Sequence, residues 1–133
     1  MTKYNISFFD LSKGVPSATL ADYGITLNSA ASKILTQWKY ARIGFDRTKN
    51  LIVIAPHNND AEAPESFRIK DNATFIRISS KDFVRMVSQY CNIPLQPSSR
   101  CLAEWDKDET ILVIDPKKVL DTSRQPSNSQ RPS

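Results

Sequence analysis

Two aspartates are the first residues whose type and spacing suggest chemistry. Asp46 and Asp106 lie sixty residues apart, and each is preceded by an aromatic residue and followed by a basic one. Two carboxylates supplied by related segments can form an acid–base dyad. Each aspartate, however, also opens a polar hairpin turn, where an aspartate side chain commonly accepts hydrogen bonds from its own backbone. We therefore predict that both are turn residues and not a catalytic pair.

The remaining reactive residues are too few to build a familiar active site. The only histidine, His57, follows an apolar run and precedes a polar loop, which is typical of a surface histidine without a catalytic partner. Three glycines leave no glycine-rich phosphate loop, and two cysteines with one histidine cannot close a zinc site. Cys91 and Cys101 flank a proline-bearing loop and could meet in a disulfide, but two reduced thiols are the favoured expectation for a cytoplasmic chain. We predict a protein that is not an enzyme and that uses no cofactor and no metal.

After the candidate catalytic residues, the distribution of charge along the chain is the most specific indication of function. Residues 33–49 carry five cations against the single acid Asp46, a net charge of +4. Lysines and arginines on a helix and a hairpin can follow a phosphate backbone. The candidate nucleic-acid-binding residues are Lys33, Lys39, Arg42, Arg47 and Lys49.

An acidic segment supports a second interpretation. Residues 100–115 carry five acids against two cations, a net charge of −3. The turn residues Asp106, Asp108 and Glu109 can imitate nucleic-acid phosphates toward a basic protein partner. Two ordinary solvated faces would give the same asymmetry, so the charge pattern by itself leaves all three readings open.

Short strands, two helices and two hairpins must position these residues. Ile25–Leu27 reads as a strand, Asn28 as a helix N-cap, and Ala31 to Trp38 as a helix with apolar residues at helical spacing. A hairpin with a turn at 46–50 follows and ends at Pro56. Residues 13–24 read as a connector, and residues 4–9 as a further strand.

The second half of the chain reads in the same order. Ile76–Ile78 reads as a strand, Ser79 with Asp82 as a capping box, and Phe83 to Tyr90 as a helix. A hairpin ending at Pro116 completes this half. Residues 67–78 additionally predict a hairpin of their own, with its turn at Asp71 and Asn72.

The two halves therefore predict an internal repeat. The stretch "GFDRTKNLIVIAP" at 44–56 returns as "EWDKDETILVIDP" at 104–116. We predict an α+β fold of two pseudo-repeated strand–helix–hairpin halves, about 24–56 and 75–116, that share a β-rich, barrel-like core. Phe45, Val53, Trp105 and Val113 occupy equivalent positions and are predicted to be core residues. Residues 1–122 form one domain, and residues 123–133, rich in Ser, Pro and Gln, are predicted to be a disordered tail.

This order of elements resembles the swapped-hairpin fold of the bacterial transition-state regulators, the SpoVT/AbrB-like family. The resemblance covers about residues 24–56 and, more loosely, 75–116. In "GITLNSAASKIL", Asn28 stands where that family has proline, and Lys33 stands in place of its helix arginine; "TQWKYAR" replaces its Gly-Asp turn. The sequence is also similar to small uncharacterised phage and prophage proteins with an "N-x-A-A" motif before an aromatic–Asp hairpin. The first resemblance implies two interlocked halves and a basic face that binds DNA.

The combined expectation is a small DNA-binding regulator of transcription that uses the basic helix and hairpin. The alternative is an inhibitor or adaptor, encoded by a mobile element, that binds a host protein through the acidic turn. The apolar runs are too short to span a membrane, and the first fourteen residues lack the apolar core of a signal peptide. We therefore expect a cytoplasmic protein with duplex DNA or a host protein as partner and no membrane contact. Self-association into a homo-oligomer is compatible with either function.

Overall fold

Eight antiparallel strands form a single sheet that curls into a nearly closed, barrel-like shape. The structure, a computed structural model, describes residues 14–120. The strand predicted for 4–9 and the tail predicted for 123–133 lie outside this range. The predicted β-rich, barrel-like core is confirmed, but the described residues are mostly β, with two short helices and one 3₁₀ helix among them.

The strands and helices follow one another along the chain in short segments. The strands are β1 Ser17–Ala21, β2 Gly24–Leu27, β3 Tyr40–Asp46, β4 Leu51–His57, β5 Phe67–Arg68, β6 Ile76–Ser79, β7 Ser99–Asp106 and β8 Ile111–Val119. The helices are α1 Ser29–Leu35 and α2 Lys81–Cys91, and a 3₁₀ helix spans Asp60–Glu65. Strand β1 falls inside the stretch predicted to be a connector, so that prediction was wrong for residues 17–21.

The order of the strands in the sheet is β5-β3-β4-β8-β7-β1-β2-β6. The two hairpins predicted around Asp46 and Asp106 are present as β3–β4 and β7–β8. The hairpin predicted for 67–78 is absent, because β5 pairs with β3 and β6 pairs with β2. The backbone N–H of Ile69 donates to the carbonyl of Lys39 at 2.7 Å, which keeps the chain after β5 against β3 instead of turning back.

The core is formed by side chains that alternate along the strands. Ile52, Ile54, Leu112 and Ile114 are fully buried where β4 pairs with β8. The four residues predicted to be core, Phe45, Val53, Trp105 and Val113, are only half-buried. Successive side chains of a strand point to opposite faces, so Val53 and Val113 lie outside when their neighbours lie inside. Phe45 and Trp105 pack against the core from the ends of the hairpins.

Each helix begins at a side chain that accepts a hydrogen bond from the first turn. Asn28 Oδ1 accepts from the N–H of Ala31 and from the N–H of Ser17, both at 3.0 Å, so this cap also anchors the start of β1. Helix α2 is capped by Ser80, whose Oγ accepts from the N–H of Phe83 at 3.3 Å. The predicted cap, Ser79, instead belongs to β6 and pairs with Gly24.

Gly24 is the position where the pairing of β2 with β6 tolerates no side chain. Its φ is +151°, and a Cβ placed there would lie 2.0 Å from the carbonyl oxygen of Ile78. We expect Gly24→Ala to lower the free energy of unfolding by more than about 1 kcal/mol, since an alanine would be strained at this φ and its Cβ would clash with the backbone of Ile78.

Gly44 provides the matched control for this substitution. A Cβ at Gly44 would meet nothing within 4 Å, and that residue has no positive φ. Gly44→Ala should therefore leave the melting temperature unchanged or raise it. Equal melting temperatures for the two alanine variants would contradict the assigned role of Gly24.

Candidate functional site

The five predicted nucleic-acid-binding residues are all exposed, but they do not share one surface. Lys39 precedes β3, whereas Arg47 and Lys49 follow it on the β3–β4 turn. A strand of this length extends about 20 Å, so these cations lie at opposite ends of the sheet. Lys33 projects from α1, beside the connection at residues 72–74.

Arg42 is partly neutralised by a nearby acid. It lies in the middle of β3, and its guanidinium is 3.6 Å from the carboxylate of Glu62, both side chains being about half exposed. An exposed ion pair of this kind contributes less than about 1 kcal/mol but reduces the charge that a phosphate would meet. Arg42 is therefore a weaker candidate than the residues of the turn.

A compact basic cluster forms at the β3–β4 turn. Arg47 and Lys49 are joined there by Lys117 of β8, whose Nζ donates to the carbonyl of Lys49 at 3.2 Å. The Arg47 guanidinium lies over the ring of Tyr90, 5.2 Å from its centroid. We call Arg47, Lys49, Lys117 and Tyr90 the basic tip. Lys117 was not predictable from the sequence, because it reaches the turn only through the pairing of β8 with β4.

The acid within this turn is already engaged. Asp46 Oδ1 accepts hydrogen bonds from the N–H groups of Thr48 and Lys49, at 2.9 and 3.1 Å. Tyr90 remains 48% exposed while its ring packs 5.7 Å from that of Phe45. The basic tip thus offers three ammonium or guanidinium groups beside a half-exposed aromatic ring, and such cations are the groups that bind phosphates.

The second hairpin turn has the same backbone arrangement and the opposite charge. Asp106 Oδ1 accepts from the N–H groups of Asp108 and Glu109 at 3.0 and 3.1 Å, so the predicted structural role of both turn aspartates is confirmed. Asp108 and Glu109 are exposed. We call Asp106, Asp108 and Glu109 the acidic tip.

The two tips lie at opposite ends of the barrel-like sheet. Val53 of β4 is paired with Val113 of β8 in antiparallel register, so the turn that precedes one strand lies beside the far end of the other. Asp46 and Asp106 are consequently far apart and cannot act as a dyad. The separation places the turn with net positive charge at one end of the sheet and the turn with net negative charge at the other.

His57 has a serine neighbour, but the direction of the hydrogen bonds opposes catalysis. His57 Nε2 is 2.8 Å from Ser66 Oγ, and that hydroxyl donates to the carbonyl of Glu62 at 2.8 Å. The N–H of Asn59 donates to His57 Nδ1 at 3.0 Å, which leaves the ring proton on Nε2. The imidazole therefore donates to Ser66 and cannot withdraw its proton as a general base does.

Neither a metal site nor a membrane-crossing helix occurs in the described part of the chain. Within residues 14–120, no three His, Cys, Asp or Glu side chains are grouped so that they could hold a metal ion. None of the helices in the same range is long and apolar enough to cross a bilayer. Comparisons of the chain with protein-family models, curated proteins and solved structures gave no match.

The two cysteines are free and differ in their surroundings. Cys101 is fully buried, and burial raises the pKa of its thiol to about 12. Cys91 is half-buried as the last residue of α2, and burial raises the pKa of its thiol as well. Because the thiolate is the reactive form, a raised pKa lowers the reactive fraction at neutral pH.

We expect Cys91 to react slowly and Cys101 not at all in the folded protein at pH 8. Titration with a chromogenic disulfide reagent should give one thiol equivalent before unfolding and a second one in denaturant. Cys91→Ser should abolish the first equivalent and retain the second. Two equivalents released at equal rates from the folded chain would contradict the assigned burial of Cys101.

Proposed function

We propose that the protein is a non-enzymatic binding protein that contacts duplex DNA through the basic tip. The observation that carries this proposal is the convergence of Arg47, Lys49 and Lys117 around the exposed ring of Tyr90. These residues come from three separate elements, so their proximity is a product of the fold and not of sequence composition.

The geometry of the turn suits a phosphate backbone. The hairpin turn carries one carboxylate, Asp46, which accepts two backbone hydrogen bonds, so its charge is partly offset within the turn. A second carboxylate near the basic tip, that of Asp115 in β8, accepts from the backbone N–H of Lys117 at 3.0 Å. The exposed cations of the turn can contact neighbouring phosphates. Lys39 and Arg42 lie too far along β3 to join them, so we assign about three phosphate contacts where the sequence suggested five.

We also propose that the two halves of the chain form a two-fold internal repeat in the fold. The repeat equates Val53 with Val113, and these two residues pair directly with each other in the sheet. If β5 and β6 are taken as neighbours, the eight strands form a ring. Exchanging β1, β2, β3 and β4 with β5, β6, β7 and β8, respectively, gives the same order of strands around this ring. These relations support two halves that exchange hairpins, as the resemblance to the SpoVT/AbrB-like family implies.

The aromatic contacts support the same repeat. Trp38, after α1, packs on Trp105 of the second hairpin with ring centroids 5.6 Å apart and planes tilted by 42°. Tyr90, at the end of α2, packs on Phe45 of the first hairpin at 5.7 Å and 41°. Each helix thus covers the hairpin of the other half.

Regulation of transcription is the role we propose for the assembled protein.

The acidic tip favours a second candidate function. Asp108 and Glu109 are exposed at the end of the sheet opposite the basic tip. An adaptor or inhibitor would present them to a basic protein in place of phosphates. In that case the acidic tip, and not the basic tip, would carry the affinity.

The proposal predicts a steep dependence of DNA affinity on salt. Three neutralised phosphates give a slope of about −3 in a plot of log affinity against log salt. The double variant Arg47→Glu with Lys49→Glu should flatten this slope by about 2, since two phosphate contacts are lost. Electrophoretic mobility shift of a random duplex at several salt concentrations measures both values.

A control pair of equal charge separates a local contact from an effect of net charge. Lys39→Glu with Lys107→Glu makes the same change among exposed residues at the other end of the sheet. The control variant should retain most of the slope of log DNA affinity against log salt. An equal flattening of the slope in both double variants would show that DNA binding depends on overall charge and not on the basic tip.

The adaptor function is tested by a different binding measurement. Absence of duplex binding at low salt would reject the DNA proposal. Binding to immobilised polylysine, lost in Asp108→Asn with Glu109→Gln, would then support the acidic tip as the interface.

A further inference from the structure

Within residues 14–120, the barrel-like sheet is open between its first and last strands. Strand β5 pairs only with β3, and β6 pairs only with β2, so each keeps one edge that no strand of residues 14–120 covers. The connection at residues 69–75 joins them without forming a ladder. We call the gap between β5 and β6 the seam.

The seam contrasts with the closed pair β1 and β2. Those strands are joined by a two-residue turn and pair at four positions, from Ala18 with Leu27 to Ala21 with Gly24. Strand β5, by comparison, is only two residues long, and the chain leaves it through a turn in which the N–H of Ala73 donates to the carbonyl of Lys70. The seam is therefore a local opening in a sheet that is otherwise continuous.

A basic cavity of about 150 Å³ lies in the seam. Arg68 and Lys70 line it from the β5 side, Arg77 lines it from β6, and no carboxylate is among its lining residues. Arg77 is held in place by Tyr23, whose ring centroid lies 4.3 Å from the guanidinium carbon. Phe75, at the edge of the cavity, is 63% exposed, more than any other large hydrophobic residue in the described range.

Around the seam, charged side chains lie on the outer face of the strands and apolar side chains lie on the inner face. Arg68 precedes the buried Ile69, and Arg77 lies between the buried Ile76 and Ile78. Because side chains alternate along a strand, the two arginines face outward while the isoleucines face the core. A strand inserted between β5 and β6 would meet cations on its outer face and apolar side chains on its inner face.

We propose that the seam binds an extended acidic segment of a partner protein by strand addition. The two uncovered edges supply main-chain donors and acceptors, which bind any extended peptide. Three cations without a carboxylate select acidic side chains on the outer face of that peptide. An apolar residue of the peptide covers the exposed ring of Phe75.

This site differs in chemistry from the basic tip. A single-stranded nucleic acid would use the cations and Phe75, but it would leave the two main-chain edges without partners. The seam therefore favours a polypeptide. The proposal concerns a different surface and does not depend on DNA binding by the basic tip.

A fluorescent eight-residue peptide of alternating glutamate and valine tests the seam directly. We expect saturable binding to the full chain, followed by fluorescence anisotropy. The double variant Arg68→Glu with Lys70→Glu should weaken this binding by about tenfold or more, because two attractions become repulsions. Both residues are exposed, so the melting temperature should stay near that of the unaltered chain; if the pair does not fold, Lys70→Glu alone replaces it.

Two controls identify the source of the affinity. A peptide in which every valine is replaced by proline keeps the charge but cannot form a ladder, and it should bind at least about tenfold more weakly. The variant Arg47→Glu with Lys49→Glu alters the basic tip and should bind the acidic peptide like the unaltered chain. It should lose DNA affinity at the same time, so failure at one surface is distinguishable from failure at the other.

Three results would overturn the proposal. These are the absence of saturable peptide binding, equal affinity for the proline peptide, and equal affinity in the seam variant. A further result would change the ligand assigned to the seam. If an eight-nucleotide oligothymidine binds more tightly than the peptide, and the seam variant loses this binding, the ligand is a single-stranded nucleic acid and not a peptide.

Discussion

The pairing of β4 with β8 is the interaction on which the rest of the structure depends. It joins two hairpins that are each local in sequence into one sheet, with Val53 facing Val113 at its centre. Directly beside this pair, Ile52, Ile54, Leu112 and Ile114 are fully buried. Burying a side chain of this size contributes about 1.5–3 kcal/mol, so a shift by one residue would expose the whole set. The same register sends the two turns to opposite ends of the sheet.

Local features of the fold were predictable from the sequence. The two hairpins follow from an aromatic–Asp–basic turn next to an aliphatic strand, and the aspartates accept the backbone hydrogen bonds expected of turn residues. The aliphatic runs are apolar at every position, so alternation could not indicate which side chains face inward, and Val53 and Val113 were wrongly placed in the core. The cap of α2 was wrong by one residue because Ser79 and Ser80 are equally suitable, and only the pairing of Ser79 with Gly24 decides between them.

The candidate site was predictable only in part, for a geometric reason. Charge clustered along the chain does not remain clustered in space when an extended strand lies within the cluster. Strand β3 separates Lys39 from Arg47, whereas the register of β8 brings Lys117 to the turn from 68 residues away. The seam was not predictable either, because residues 67–78 have the pattern of a hairpin, and the competing partner, β3, is supplied by a distant part of the chain.

The position of β1 in the sheet has a consequence for synthesis on the ribosome. Strand β1 lies between β2 and β7, and Ser17 pairs with Leu102. Translation at about 5–20 residues per second delivers β7 roughly 4–16 s after β1. During this interval the nascent chain presents an apolar strand with one uncovered edge, the type of surface that molecular chaperones protect from aggregation. The sheet is therefore completed only after the last hairpin leaves the exit tunnel, because β1 near one end of the described chain pairs with β7 near the other.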